Sequence, residues 1–267
     1  MNNNKIDLSI IIVSHNHSVF LKNNFDSILE KTLNISYEII LVNNVKQDPG
    51  ISEIKTSYPE ILLIENDRCK GFSENNNIGI KKSKGEYIVI LNPDTYLSNN
   101  AFEIMISYLR ENKNVGICGA KLLNVDDSIQ FSYRKFPTFN SFLFRRTPLR
   151  LFTDQNSANS KHLMMNSQHY RSTKVDWMLG ACLMIEKKLI INMGLLDENF
   201  FMYCEDIDIC YRVNKYGLEC HYLPKAIIYH LHQGESDKKL LSKYSFFHLK
   251  SMAYFIYKHK YFKQLFS

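Results

Sequence analysis

The sequence predicts an α/β fold with a mainly parallel central sheet flanked by helices. Three observations carry this: compact β-branched runs recur early in the chain, segments of helical period lie between them, and the connections are short. Leu8-Ser-Ile-Ile-Ile-Val13 is a run of the kind that a strand buried on both faces shows. From Val19 to Lys31, Phe20, Leu21, Phe25, Ile28 and Leu29 fall near helical spacing. Tyr37–Val42 reads as a second strand, Ile51–Tyr58 as a helix ended by Pro59, and Glu60–Glu65 as a third strand. Phe72–Lys82 reads as a helix, and Tyr87–Leu91 as a fourth strand that ends at Asn92-Pro-Asp-Thr95. Such alternation implies parallel strands joined by right-handed crossovers.

Ala101–Asn112 is another amphipathic helix, for which Ser98-Asn-Asn100 supplies a cap. Val115–Leu123 and Ile129–Tyr133 read as strands. Arg145–Lys174 is polar and without period, which predicts a long surface loop of the sort that serves as a lid. Structure resumes at Val175–Ile185, followed by a short helix over Lys187–Met193, a helix over Glu205–Tyr216 and a strand over Ala226–His230. Without internal repeats, residues 1–267 read as one domain. A nucleotide-binding-like half covers about 5–115, a half that completes the site about 116–236, and an aromatic-basic tail about 240–267.

A chain of 267 residues suits one large α/β domain, and 45% hydrophobic with 22% charged residues excludes bulk disorder. Gly 10 and Pro 6 are too few for collagen-like or low-complexity organisation. The net charge of +6 suits an anionic ligand or an acidic membrane surface, and falls short of a nucleic-acid binder's clustered footprint. Cys69, Cys118, Cys182, Cys204, Cys210 and Cys220 are scattered without a CxxC pair, so reduced thiols are expected in preference to a zinc site. No stretch approaches the ~18–20 apolar residues of a spanning helix, and Leu8–Val13 is too short for an export signal. The expectation is a cytoplasmic protein.

In open parallel sheets, ligands bind beyond the C-terminal strand ends. Ser14-His-Asn16, Asn43-Asn44 and Asn92-Pro-Asp94 all fall there. One polar residue after a strand is ordinarily a turn or cap, but three on one sheet edge point to a ligand. Asp94 would be a natural oxygen ligand for Mg2+ or Mn2+ beside a nucleotide diphosphate. Phe200-Phe-Met-Tyr-Cys-Glu-Asp-Ile-Asp208 then sets aromatics against acids, with Arg212 following. At a helix start such acids are favoured by the helix dipole; against aromatic walls one of them gains the raised pKa of a general base. The residues alone leave both readings open.

Ordered along the chain, these segments resemble the inverting family 2 glycosyltransferases of the GT-A fold, and most closely their rhamnosyltransferase-like branch. The matching signatures are Ser9-Ile-Ile-Ile-Val-Ser-His-Asn16, Gly71-Phe72 with Asn77-Ile-Gly79, and Gly85-Glu-Tyr-Ile-Val-Ile-Leu-Asn-Pro-Asp-Thr95. Asp176-Trp-Met-Leu-Gly-Ala181, Gly194-Leu-Leu-Asp-Glu-Asn-Phe-Phe-Met-Tyr-Cys-Glu-Asp-Ile-Asp208, and Pro224 followed by His230 complete a series running from about residue 7 to about 236.

The resemblance implies single-displacement transfer of rhamnose or another hexose, with inversion, from a dTDP- or UDP-linked donor. The acceptor would be a glycan or a polyprenyl-diphosphate-linked glycan in cell-surface polysaccharide synthesis. Asn92, Pro93 and Asp94 fall on the family's metal motif, so Asp94 would hold Mn2+ or Mg2+, with His230 as second ligand and His232 its alternative. Asp206 matches the acceptor-activating base. Ser14, His15, Asn16, Asn43, Gly71, Phe72 and Asn77 would line the donor site. Arg212 would meet the diphosphate charge or pair with the acids. Trp177, Gly180, Ala181 and Glu205 would lie on the acceptor side.

Two departures stand out. Asn43 replaces the family's base-binding Asp, and Cys69-Lys70 replaces the usual Asn before Gly-Phe. Asn43 and Asn92 motivate a second reading, a nucleotide-sugar-binding protein with little turnover; retention of Asp94, Asp206 and His230 favours activity. A nicotinamide enzyme is disfavoured, because the first strand leads into Ser14-His-Asn16 and not a Gly-x-Gly-x-x-Gly turn. In the tail, Lys243, Lys250, Lys258, Lys260 and Lys263 interleave with Tyr244, Phe246, Phe247, Tyr254, Phe255, Tyr257, Tyr261, Phe262 and Phe266. This is either a helix packing its aromatics on the domain or an interfacial helix on the inner face of the membrane.

Overall fold

The structure, a computed structural model, describes residues 5–46, 48–137, 170–231 and 243–261. The strands and helices of the first half follow the alternation read above: β1 (Leu8–Ser14), α1 (Ser18–Lys31), β2 (Tyr37–Asn43), α2 (Gly50–Ser57), β3 (Leu62–Glu65), α3 (Phe72–Lys82) and β4 (Tyr87–Leu91). Next come β5 (Thr95–Leu97), α4 (Ala101–Glu111), β6 (Val115–Leu123), β7 (Ile129–Gln130) and β8 (Tyr133–Arg134). The second half holds β9 (Thr173–Val175), β10 (Trp177–Met178), β11 (Cys182–Glu186), α5 (Lys187–Asn192), α6 (Glu205–Lys215), β12 (Glu219–His230) and α7 (Lys243–His259).

The main sheet runs β3-β2-β1-β4-β11-β6-β12-β5. Strands β3, β2, β1 and β4 are parallel neighbours, as are β6 and β12, whereas β11 and β5 pair antiparallel with theirs. All seven residues of β1 are buried because both of its faces are covered. Leu8, Ile10 and Ile12 pack with Leu21, Phe25 and Ile28 of α1, while Ile11 faces Ile80 of α3 and Ile88 and Ile90 of β4 on the other side. On that side α3 approaches closely: a Cβ at Gly79 would lie 2.6 Å from Cγ2 of Ile11. Ser14 and Asn43 are register partners at the C-terminal ends of β1 and β2, and Ile12 pairs with Leu91 just before Asn92. The three polar clusters therefore share one sheet edge.

Several expectations are corrected. Ile129–Tyr133 is two short strands, since β7 pairs with β6 and β8 with β10. Asn100 occupies the position before α4 without a side-chain cap bond; its amide reaches Glu103 instead, and Asn99 ties to Lys225 and Ile227. The strand read over Ala226–His230 is the second half of the longer β12, whose register against β6 shifts between Leu223 and Ile227, around Pro224. Tail residues 243–259 form a helix packed on the domain through Ser251, Met252, Phe255 and His259, as the first of the two readings of the tail expects. The expected loop over Arg145–Lys174 falls largely outside the described residues, as do His232, Phe262, Lys263 and Phe266.

Candidate functional site

Strand pairing builds one half of the site. In β12, His230 is the register partner of Thr95 in β5, which brings its imidazole over the turn that follows β4. His230 Nε2 lies 3.5 Å from Asp94 Oδ1, and Asn92 Nδ2 lies 3.4 Å from the same nitrogen. Leu231 N–H donates to the Asp94 carbonyl at 2.9 Å. The turn is braced from below by Asn24 of α1, whose amide donates to the carbonyls of Asn92 and Thr95, and by Thr95 Oγ1, which donates to the Asn92 carbonyl. Burial pulls the Asp94 carboxyl up, but the charged form of His230, with hydrogens on both ring nitrogens, outweighs it and holds the group below the usual carboxylate range.

A second centre lies at the start of α6. Tyr203 and Cys204 adopt positive φ, 68° and 66°, a strained backbone for residues with side chains. That turn delivers Glu205 and Asp206, both partly buried. Asp206 accepts from Ile207 N–H at 2.8 Å and from Gly180 N–H at 3.3 Å. Desolvation pushes the Asp206 carboxyl up to about 6 against those donors and the charge of Arg134. Desolvation and the neighbouring Asp206 push Glu205 up further, and its buried Oε2 has no hydrogen-bond partner among the described residues. Side by side and desolvated, the two carboxyls are both held above the ordinary carboxylate range.

Two adjacent residues join the centres. Ala181 carbonyl accepts from Asn92 N–H at 2.9 Å, on the Asp94 side, and Gly180 N–H reaches Asp206. Trp177, buried, fixes the approach to this turn: its Nε1 donates to the Lys135 carbonyl, and the Arg134 guanidinium stacks 5.3 Å from its ring. Of the four residues read on the acceptor side, Gly180 and Glu205 lie beside Asp206, Ala181 bonds Asn92, and Trp177 is held by Lys135 and Arg134.

On the donor side the structure is more selective. Ser14 Oγ accepts from His17 N–H and holds the turn into α1; His15 lies against Asn44, and Asn16 is exposed with φ of 60°. Asn43 spends its amide on the backbone of Val45. Gly71 is required by a close approach, since a Cβ there would lie 2.9 Å from Cα and O of Phe201, and Phe72 N–H donates to that same carbonyl. Gly71-Phe72 therefore docks the N-terminal half onto the acid motif. Two expectations are corrected. Asn77 is buried, with its amide bonded to Leu196 N–H and carbonyl and to Glu198, so it braces α3 and does not face a donor. Arg212 is bonded to Asp208 and to the carbonyls of Met193 and Leu195, so of its two proposed roles the structure shows the pairing with an acid.

Sequence reading missed Gln130, which bonds His230, and the bonds through Asn66 that tie Asn44 to Asn75 behind the sheet edge. Asn44 Oδ1 accepts from Lys70 N–H and Asn66, and Asn75 donates to the Lys70 and Gly71 carbonyls. Asn43-Asn44 and the run Asn75-Asn-Asn77 were their visible traces.

The family model for glycosyl transferase family 2 matches residues 9–177, which takes in β1 through β10 and the Asp94 turn. The chain belongs to this family. Rhamnosyltransferase WbbL of Escherichia coli is 29% identical over 256 residues, covering 91% of this chain and 89% of its own. The N-acetylglucosaminyl-diphospho-decaprenol L-rhamnosyltransferase of Mycobacterium tuberculosis is 23% identical, covering 82% of this chain and 74% of its own. Among solved structures, GalNAc-T7 with UDP, GalNAc and Mn2+ superposes with a TM-score of 0.65 at 19% identity over 88% of this chain. Mannosyltransferase PcManGT of Pyrobaculum calidifontis, with GDP-Man and Mn2+, gives 0.58 at 14% over 87%. This family 2 chain spans 45% and 59% of those two solved chains, and the likeness shows the GT-A fold.

Proposed function

We propose that this family 2 glycosyltransferase moves rhamnose or another hexose from a dTDP- or UDP-linked donor to a glycan or polyprenyl-diphosphate-linked acceptor, with inversion. The observation that carries the proposal is the turn at Gly180-Ala181, which joins the Asp94–His230 pair to Asp206. The Asp94 carboxylate, the His230 imidazole and the Asn92 amide bring together donor types that fit Mn2+ or Mg2+. Asp94 and His230 would hold such a cation, which would neutralise charge on the departing nucleoside diphosphate.

Asp206 takes the proton of the acceptor hydroxyl as that oxygen closes on the anomeric carbon, opposite the departing diphosphate. A carboxylate titrating near 6 is ionised at neutral pH yet basic enough to accept that proton. The names of the relatives support rhamnose and a lipid-linked acceptor.

Among the described residues no helix is long and apolar enough to cross a membrane. One face of α7 and the turn after it exposes Lys243, Phe246, Leu249, Lys250, Tyr257 and Lys260, and α7 carries no acidic residue. That face supports docking on an anionic, cytoplasmic membrane surface, where a lipid-linked acceptor would be reached. Lys258, counted with the basic tail above, is committed elsewhere: it pairs with Asp197 and Asp208.

The test is a screen of nucleotide-sugars with Mn2+ and Mg2+, read by mass spectrometry of the donor and of glycan acceptors. Transfer from dTDP-rhamnose or a UDP-hexose is expected. Binding without turnover across the screen would instead identify a nucleotide-sugar-binding protein.

A further inference from the structure

We infer that Gln130 is a positioning residue that fixes the ring orientation and tautomer of His230, and with them its capacity to bind a cation. The inference rests on the reading of Asp94 and His230 as the cation site. Gln130 closes the short hairpin between β6 and β7, and its side chain meets His230 twice. Oε1 lies 2.9 Å from His230 Nδ1, and Nε2 lies 2.6 Å from the His230 backbone carbonyl.

The direction of these bonds follows from chemistry. A backbone carbonyl only accepts, so the amide must turn its nitrogen to His230 O and its oxygen to the ring. An amide oxygen also only accepts, so Nδ1 of the neutral ring must carry the hydrogen. Nε2 is then the lone-pair nitrogen, and it is the one that faces Asp94 and the donating amide of Asn92.

The hairpin holds Gln130 in that sense. Gln130 Nε2 donates to Asn124 Oδ1 at 2.6 Å, Asn124 Nδ2 donates to Ser128 Oγ at 2.7 Å, and Ser128 Oγ donates to Asp126 Oδ1 at 2.6 Å. Asn124 N–H closes the turn on the Ser128 carbonyl. Every bond in this relay points the same way, from the imidazole to a carboxylate. Metal-bound histidines are ordinarily oriented by such a partner on the other ring nitrogen, and its loss weakens metal binding ~10–100-fold.

The experiment compares wild type, Gln130→Met and His230→Ala. Mn2+ binding is followed by electron paramagnetic resonance with UDP and, in a second arm, dTDP. Two-bond proton–nitrogen spectra of the metal-free, 15N-histidine-labelled proteins at about pH 8 report the His230 tautomer, assigned by its absence in His230→Ala. The wild type should show Nδ1–H at His230. Gln130→Met should lose that signature and bind Mn2+ ~10–100-fold more weakly. A wild-type His230 carrying its hydrogen on Nε2, or Mn2+ affinity in Gln130→Met within twofold of wild type, overturns the inference. Mn2+ binding that survives His230→Ala overturns instead the cation-site reading beneath it. The wild-type spectrum stands even should Gln130→Met fail to fold.

Discussion

Replacing Asp208 by Asn should unfold the support of the acid motif before it touches any chemistry. The Asp208 side chain is 1% exposed, two residues beyond Asp206 on α6, and three cationic or imidazole groups converge on it. Arg212 Nε lies at 2.8 Å, Lys258 Nζ at 2.6 Å and His259 Nε2 at 2.7 Å. Two of these belong to α7, so this one carboxylate clamps α7 onto α6. Removing one partner of a buried ion pair costs about 3–5 kcal/mol. The low end applies here, because Arg212 keeps two backbone carbonyls and Lys258 keeps Asp197 at 2.8 Å. A loss of about 3 kcal/mol corresponds to a melting temperature lower by roughly 6–12 °C. Thermal and urea denaturation of wild type and Asp208→Asn measure it.

The pH dependence has a definite sign. Burial pulls the Asp208 carboxyl up, but the bond to His259 and the charges of Arg212 and Lys258 hold it below its ordinary value. Its contribution is thus complete above the unfolded value of about 3.9 and fades as pH falls below that towards the lowered folded value. The gap between wild type and variant should narrow below about pH 4. A cost under about 1 kcal/mol at pH 7 would reduce the cluster to the rank of a surface ion pair and refute the clamp.

Asp206→Asn should lower the transfer rate by ~10²–10⁴, the usual scale of general-base catalysis, with donor affinity retained. In the wild type the rate should fall as pH drops through about 6, where Asp206 takes up its proton; a rate flat from pH 5 to 8 contradicts the assignment. On the membrane side, Lys243→Gln/Lys250→Gln/Lys260→Gln should weaken sedimentation with anionic vesicles about 100-fold at low salt, from about 1 kcal/mol for each lysine. Equal binding by the triple variant and wild type removes α7 from membrane contact.

The strands β1, β2 and β4 were legible because burial on both faces leaves an unbroken apolar run, and the motifs around Asp94, Asp206 and His230 singled out three residues that the Gly180-Ala181 turn links. Other features lacked a local signal. Strand β5 is three residues folded out of the Asn92-Pro-Asp-Thr95 turn, and it exists because β12 pairs with it. The first half of β12 was obscured by Pro224, which the register shift accommodates. Asn77 and Arg212 carry the residue types of a donor site, yet each is consumed by backbone groups of the 193–198 segment, a tertiary fact. Gln130 lies a hundred positions from His230, and only the β6–β12 pairing brings them together. The α7 clamp was hidden for the same reason, since Asp208 read as one more acid at a helix start.

One comparison addresses the central claim, that Asp94 and His230 hold the cation that meets the donor diphosphate while Asp206 activates the acceptor. Donor binding by calorimetry and single-turnover transfer are measured for wild type, Asp94→Ala and Asp206→Asn, each with Mn2+ and with excess chelator, using the donor found in the screen. Asp94→Ala should lose both Mn2+-dependent binding and transfer, whereas Asp206→Asn should bind as wild type does and transfer ~10²–10⁴ more slowly. Full transfer by the wild type in chelator, or by Asp94→Ala, would contradict the account.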